Sequence, residues 1–150
     1  MGTQTLGFLS DSTDPTGYKL VGARDVILNV TCDTDQSTFK ISLAGITPTP
    51  VNLVLWNSTG SVTGALKFQA NGARVNGIPV GIKLQSLTSS SYSTQVTFTG
   101  NDSVILDLAG IAANNRKIFS VNLHFTGLLS KSTPVTNQVN LNSNFTATVN

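Results

Sequence analysis

The chain lacks the residues on which most enzyme active sites depend. Its 150 residues include no glutamate, a single histidine (His124) and a single cysteine (Cys32). The absence of glutamate excludes a glycosidase-type pair of Glu residues, and one histidine without a second His or Cys beside it cannot build a zinc site. The sequence contains no glycine-rich phosphate loop and no serine nucleophile elbow. We therefore predict that the protein is not an enzyme and that it has no metal or cofactor.

Charge is also scarce. Charged residues make up 11% of the chain, and the formal net charge is +2. Because the basic residues are scattered and form no stripe, we expect no binding to nucleic acid or to an anionic membrane. No apolar run reaches the length of a membrane span. Ser, Thr and Asn together make up a third of the residues, so the sequence predicts a neutral surface rich in hydroxyl and amide groups.

The few acidic residues fall largely in turn-rich sequence. Asp11 and Asp14 frame one such stretch, and Asp33 and Asp35 lie in another. Calcium binding at these loops is one interpretation, but the density of ligands is well below that of an EF-hand loop. Aspartates that form turns through their own side chains are the favoured interpretation.

Cys32 and His124 each have a structural interpretation. Cys32 alternates with Leu28 and Val30 on one strand face, which predicts a buried thiol without an activating partner. His124 lies on the face opposite Leu123 and therefore points outward, where a single histidine is usually inert.

Short alternating runs separated by turn residues dominate the rest of the sequence. We predict strands at 26–32, 38–43, 52–56, 65–69, 78–84, 94–98, 104–108, 118–125 and 144–150. Turn chemistry is found at 57–60, 71–72, 76–77 and 100–102, and a helical turn is one interpretation of 109–115. This pattern indicates a single all-β domain over 1–150, either a sandwich or a barrel, with a loosely ordered N-terminal segment at 1–17.

The C-terminal third carries two amphipathic runs. In each run, alternate apolar side chains fall on one strand face: Phe119, Val121, Leu123 and Phe125 in the first, and Phe145, Ala147 and Val149 in the second. A sheet that ends on a strand of this kind leaves an edge that another chain can complete.

Three parts of the sequence together resemble the subunits of chaperone–usher fimbriae. Residues 30–45 are similar to the family's second-strand cysteine region, and Pro79-Val-Gly-Ile-Lys-Leu84 is similar to its central strand. The run from Phe119 to Phe125, the turn Thr133-Pro-Val-Thr136 and the segment 142–149 are similar to its closing strands. The resemblance covers residues 24–150, and the family's usual first cysteine has no counterpart.

The resemblance implies an immunoglobulin-like β-sandwich of the pilin type that lacks its last strand. A periplasmic chaperone, and then a neighbouring fimbrial subunit delivered through the outer-membrane usher, would fill the resulting groove by donor-strand complementation. The implied protein is thus a structural or adhesive subunit of an extracellular fimbria on a bacterial surface, with a host glycan or protein as a further partner. The groove residues would be Phe145, Ala147 and Val149, with Phe119, Val121, Leu123 and Phe125. The alternative is that these side chains fill a closed core.

A second function class stays open. A self-sufficient carbohydrate-binding β-sandwich, from an adhesin or a phage appendage, would also suit this composition. Trp56, Tyr92 and Tyr18 are the candidate receptor contacts, since aromatic rings stack on sugars. Trp56 shares a strand face with Val54 and is also interpreted as a core or edge residue.

Overall fold

The computed structural model describes residues 19–42, 54–55, 57–58, 64–87, 91–98, 102–129 and 141–142. These residues form strands and turns, with no helix among them and therefore no helix able to cross a membrane. The strands are β1 (Lys19–Thr31), β2 (Lys40–Ser42), β3 (Val54–Leu55), β4 (Asn57–Ser58), β5 (Gly64–Val75), β6 (Ile78–Pro79), β7 (Ile82–Leu84), β8 (Gln95–Thr97), β9 (Ser103–Leu106), β10 (Ile118–Leu129) and β11 (Leu141–Asn142). The predicted all-β class is confirmed for this part of the chain.

The larger sheet is built on three long antiparallel strands. β10 lies in the middle, with β1 on one side and β5 on the other. The register pairs Leu28 with Val121 and Val30 with Phe119 across the β1–β10 ladder. Beyond β10, the strand β5 also pairs with β3, β6 and β8. β10 is rich in β-branched and aromatic residues at alternating positions, which suits a central strand with one buried face.

Two smaller sheets complete the described fold. β9 pairs with β2 on one side and with β7 on the other, and β11 pairs with β4. The side-chain hydroxyls of Ser42 and Ser103, on paired strands β2 and β9, lie 2.8 Å apart. All the strand pairs in the three sheets are antiparallel.

The hydrophobic core joins the two larger sheets. β2, β7 and β9 contribute the buried residues Ile41, Ile82, Leu84, Val104 and Leu106, and β5 and β10 contribute Phe68, Ala70, Ala73, Val75, Phe119, Val121, Leu123 and Phe125. Phe39, just before β2, stacks on Phe119 of β10. Side chains from two antiparallel sheets that share one apolar layer are the arrangement of a β-sandwich.

Arg116 organises the loop between β9 and β10. Its guanidinium donates hydrogen bonds to the carbonyl oxygens of Leu108 (2.8 Å) and Ile111 (2.6 Å from Nη2 and 3.0 Å from Nε). The backbone N–H of Arg116 donates to Asp35 Oδ1 at 2.8 Å, and Gln36 N–H donates to the Arg116 carbonyl. One arginine thus ties this loop to the connection that follows β1.

The structure corrects several boundaries predicted from the sequence. The predicted turn at Asn71-Gly72 is wrong, because β5 continues through these residues with a register shift opposite Val121. Gly72 has a φ of +58°, so the residue pair forms a bulge within a strand and not a hairpin. The predicted turn at Asn76-Gly77 is confirmed, with positive φ values of 45° and 80°.

Three further differences concern single segments. The predicted strand 78–84 is divided between β6 in the larger sheet and β7 in the smaller one. The break at Val80-Gly81 allows the chain to pass from one sheet to the other. Asn57-Ser58, predicted as a turn, is the short strand β4, and residues 109–115 form turns without a helix. The predicted strand at 144–150 lies outside the described residues.

Candidate functional site

Phe119, Val121, Leu123 and Phe125 lie in the core. Their side chains are between 0% and 8% exposed, and they face β2, β7 and β9 within one apolar cluster. Both hydrogen-bonding edges of β10 are paired, one with β1 and the other with β5. β10 therefore has no free backbone edge for an incoming strand, and its apolar side chains are core residues. Among the described residues, the edge on the β1 side of this sheet lies one strand further out.

β1 is that edge strand. Within the described part of the chain its only ladder partner is β10. The backbone N–H of Cys32, which follows β1, donates to the carbonyl of Lys117, which precedes β10, at 2.8 Å. Successive residues of an antiparallel strand direct their backbone N–H and C=O groups to opposite sides. Because Cys32 bonds to the β10 side, the backbone groups of the even-numbered residues from Arg24 to Val30 also point towards β10. The odd-numbered residues, including Ile27 and Asn29, direct theirs to the free edge.

The side chains of β1 are less covered than those of β10. Leu28, Val30 and Cys32 face inward and pack against the core, but they are only partly buried. Val26 is 38% exposed, and Ile27, on the outer face, is 65% exposed. Ile27 is the most exposed large hydrophobic residue of the described chain. β1 thus combines free backbone donors and acceptors with apolar side chains that could bury further surface.

The segment from Val26 to Thr31 has none of the usual protection of a sheet edge. Natural edges carry lysine, proline, inward charges or bulges that prevent pairing with other chains. This segment has no charged residue and no proline. The protective features of β1 lie before it: the charged residues Arg24 and Asp25, and the register shift between Leu20 and Gly22. The part of the edge from Val26 to Thr31 is therefore competent to pair with another strand.

The strand predicted at 26–32 corresponds to the second half of β1, which begins at Lys19, but its position at an edge was not predicted. A signal was present in Val26-Ile27-Leu28, where three consecutive apolar residues interrupt the alternation. In a strand with one solvated face, such a run places one apolar side chain on the outer face. Ile27 occupies that position.

His124 lies on the outer face of β10, as the alternation predicts. Its Nδ1 atom lies 2.8 Å from Oδ1 of Asp25, the residue directly opposite on β1. Both side chains are partly exposed, so this is a surface pair across the strands. No group of three or more potential metal ligands occurs among the described residues.

The remaining predicted contact residues have different outcomes. Tyr92 is described and is 36% exposed. The ammonium group of Lys83 lies 4.7 Å from the centroid of its ring, so a cation covers part of the aromatic surface. Phe145, Ala147, Val149, Trp56 and Tyr18 lie outside the described residues, and their roles stay predictions.

Cys32 is half-buried and forms no disulfide. Its side chain packs against the hydrophobic core at the end of the inward-facing row of β1. The thiol predicted to be buried is thus only partly buried, because the row to which Cys32 belongs lies along the open side of the sheet.

Comparisons with known proteins found no match: no family model, no curated protein and no solved structure is significantly similar to this chain.

Proposed function

We propose that the protein is a structural subunit of a bacterial surface fibre and that a strand from a neighbouring subunit completes its sandwich. The observation that carries this proposal is the free edge of β1, where partly buried inward side chains lie beside backbone groups that have no ladder partner among the described residues. The resemblance of the sequence to chaperone–usher fimbrial subunits supports the same mechanism. In that setting the partners are a periplasmic chaperone, an outer-membrane usher and other subunits, and the protein is located outside the cell.

Strand addition at this edge has a simple physical basis. The backbone groups of Ile27 and Asn29 provide donors and acceptors that fix the register of the incoming strand. Its alternate side chains would extend the inward row formed by Leu28 and Val30 and so cover the open side of the core. Fully burying one large aliphatic side chain contributes about 1.5–3 kcal/mol, so several such positions give a stable complex.

The composition is consistent with a fibre subunit. A surface with few charged residues and many hydroxyl and amide groups stays soluble without strong electrostatic interactions between subunits. Neighbouring subunits of one fibre lie at high local concentration, where a surface dominated by one sign of charge would be repulsive.

A second candidate function has one supporting observation. The outer face of the larger sheet carries three partly buried amide side chains: Asn122 Nδ2 donates to Asn71 Oδ1 at 3.0 Å, and Gln69 Nε2 donates to Thr97 Oγ1 at 3.3 Å. Amide groups of this kind can donate and accept hydrogen bonds with neighbouring sugar hydroxyls. A carbohydrate-binding sandwich would use this face and would not need a donor strand.

The deciding experiment is a thermal melt of the purified chain with and without a donor strand. The donor is a short synthetic peptide in which apolar and hydroxyl residues alternate, and the control is a scrambled peptide of the same composition. We expect the alternating peptide to raise the melting temperature and the scrambled peptide to leave it unchanged, because a ligand that binds only the folded state stabilises it.

A matched pair of proline variants tests whether the peptide binds at the free edge of β1. Asn29→Pro removes an N–H that faces the free edge, whereas Val30→Pro removes one that faces β10. Asn29→Pro should keep the fold and lose the response to the peptide, and Val30→Pro should lower the stability of the fold itself.

A melting temperature that no alternating peptide changes, together with a rise on adding neutral oligosaccharides, would favour the carbohydrate-binding function instead.

A further inference from the structure

The free edge of β1 is complementary to itself. If two copies of β1 run antiparallel about a two-fold axis normal to the sheet, inward-facing residues meet inward-facing residues and outer residues meet outer residues. The odd-numbered residues, whose backbone groups face the free edge, must then pair with odd-numbered residues of the second copy. This condition allows only a few registers, and the side chains of β1 distinguish among them.

The register centred on Ile27 is the best of these. It places Ile27 opposite Ile27 of the second copy, Val26 opposite Leu28, and Asp25 opposite Asn29. The pairs closest to the axis are thus apolar on both faces, and no like charges are opposed. Further from the axis, Arg24 lies opposite Val30. Hydrogen-bonded pairs would run from Ala23 to Thr31.

The neighbouring registers are poorer. Centring the pairing on Asp25 opposes two carboxylates, which destabilises a strand pair. Centring it on Val26 places Asp25 opposite Ile27, so that a short charged side chain lies against an aliphatic one in the pairs next to the axis, whereas the long Arg24 side chain of the Ile27-centred register can extend away from Val30. Centring it on Leu28 places Asp25 opposite Thr31 and leaves Ile27 facing Asn29. The Ile27-centred register alone covers the most exposed apolar side chain of the described chain with its own equivalent.

We infer that the free subunit forms a two-fold homodimer through antiparallel pairing of β1 with β1 of a second copy, centred on Ile27. The interface is isologous, so it closes on itself and cannot extend into a fibre. The dimer therefore caps the edge until a donor strand displaces it. This inference rests on the proposed function, since both require β1 to be open, but it names a different occupant of the edge.

The first test is the oligomeric state of the full chain by sedimentation velocity, measured from micromolar to submillimolar concentration. We expect a reversible dimer. Ile27→Asp should weaken dimerisation by at least about tenfold, because it introduces two carboxylates at the two-fold axis. Ile118→Asp is the matched control: Ile118 is also an exposed isoleucine on the outer face, 52% accessible, but it lies on β10, one strand inside the edge. The Ile118→Asp variant should still dimerise.

Disulfide trapping tests the register. In a Cys32→Ser background, Ile27→Cys should form a covalent dimer on mild oxidation, because directly opposed residues lie within disulfide reach. Asp25→Cys should remain uncrosslinked, since its equivalent lies several residues away in this register. Crosslinking through Asp25→Cys in place of Ile27→Cys would overturn the inferred register.

The donor peptide separates this inference from the proposed function. Addition of the alternating peptide should dissociate the dimer and raise the melting temperature of the monomer. A chain that stays monomeric at all concentrations yet binds the peptide would overturn the homodimer and leave the proposed function intact. A dimer that Ile27→Asp does not weaken would also overturn the homodimer centred on Ile27. A dimer that the alternating peptide never dissociates would count against the proposed function alone.

Discussion

Phe39 and Phe119 stack with their ring centroids 4.4 Å apart and their planes inclined by 18°. Phe39 precedes β2 of the smaller sheet, and Phe119 lies on β10 of the larger one, so the stacked pair joins the two sheets across the core. Both side chains are almost fully buried. Phe119 also pairs with Val30 of β1 and with Val75 of β5, which places the stack under the three long strands of the larger sheet.

Phe39→Ala should therefore lower the free energy of unfolding by about 3–5 kcal/mol, because it removes a buried ring and leaves a cavity between the sheets. Urea denaturation monitored by circular dichroism measures this change. Phe39→Leu is the control and should cost clearly less, since it keeps most of the apolar volume. A loss below about 1 kcal/mol for Phe39→Ala would contradict a central role for the stack.

The sequence predicted the class of the fold because its signal is local. The alternation in β10 and the Asn76-Gly77 turn are each determined by a few neighbouring residues. The length of β5 was missed because Asn-Gly favours a turn locally, whereas the ladders to β10 and β8 extend the strand through it. Tertiary pairing overrides local propensity at such positions.

The candidate site was only partly predictable for a related reason. The sequence identified an apolar face on β10 but could not show that both edges of that strand are paired. Which strand lies at an edge depends on sheet order, and sheet order is set by contacts between residues distant in the chain. The pairing of β1 with β10 joins residues about a hundred positions apart, as Asp25 and His124 show.

Arg116 gives a prediction about the loop between β9 and β10. Arg116→Lys should destabilise the protein by about 1–3 kcal/mol, because an ammonium group cannot reproduce the planar fork that donates to Leu108 and Ile111. Chemical denaturation measures the loss. Lys117→Arg is the neighbouring control on an exposed side chain and should change stability by less than about 0.5 kcal/mol. Equal effects of the two substitutions would contradict the role assigned to Arg116.

Two glycines provide a prediction about the backbone. Gly77 has a φ of +80° in the turn that joins β5 to β6, a conformation that disfavours a Cβ atom. Gly77→Ala should cost about 1–2 kcal/mol of stability. Gly110 lies in open space, and its φ is not in the left-handed region. Gly110→Ala should be neutral or slightly stabilising. Thermal melts of the two variants measure both effects, and a larger loss of stability for Gly110→Ala than for Gly77→Ala would contradict the turn geometry at Gly77.

The Asp25–His124 pair leads to a prediction of a small effect. A double-mutant cycle with Asp25→Ala and His124→Ala should give a coupling of about 0.2–1 kcal/mol, because both side chains are accessible to water and salt. The coupling should decrease as ionic strength rises. A coupling of several kcal/mol would indicate that another segment buries the pair.

The free edge itself can be tested by hydrogen exchange. The amides of Ile27 and Asn29 face away from β10, whereas those of Leu28 and Val30 lie in the β1–β10 ladder. At a concentration where the chain is monomeric, the two odd-numbered amides should exchange at least about a hundredfold faster than the two even-numbered ones. NMR of the amide protons resolves these neighbouring positions individually. Protection of the odd-numbered amides that grows with protein concentration would point to pairing between copies, because a second copy of β1 bonds to those groups. Protection that is strong and independent of concentration would mean that another segment of the same chain already occupies the edge, and β1 could then accept neither a donor strand nor its own equivalent.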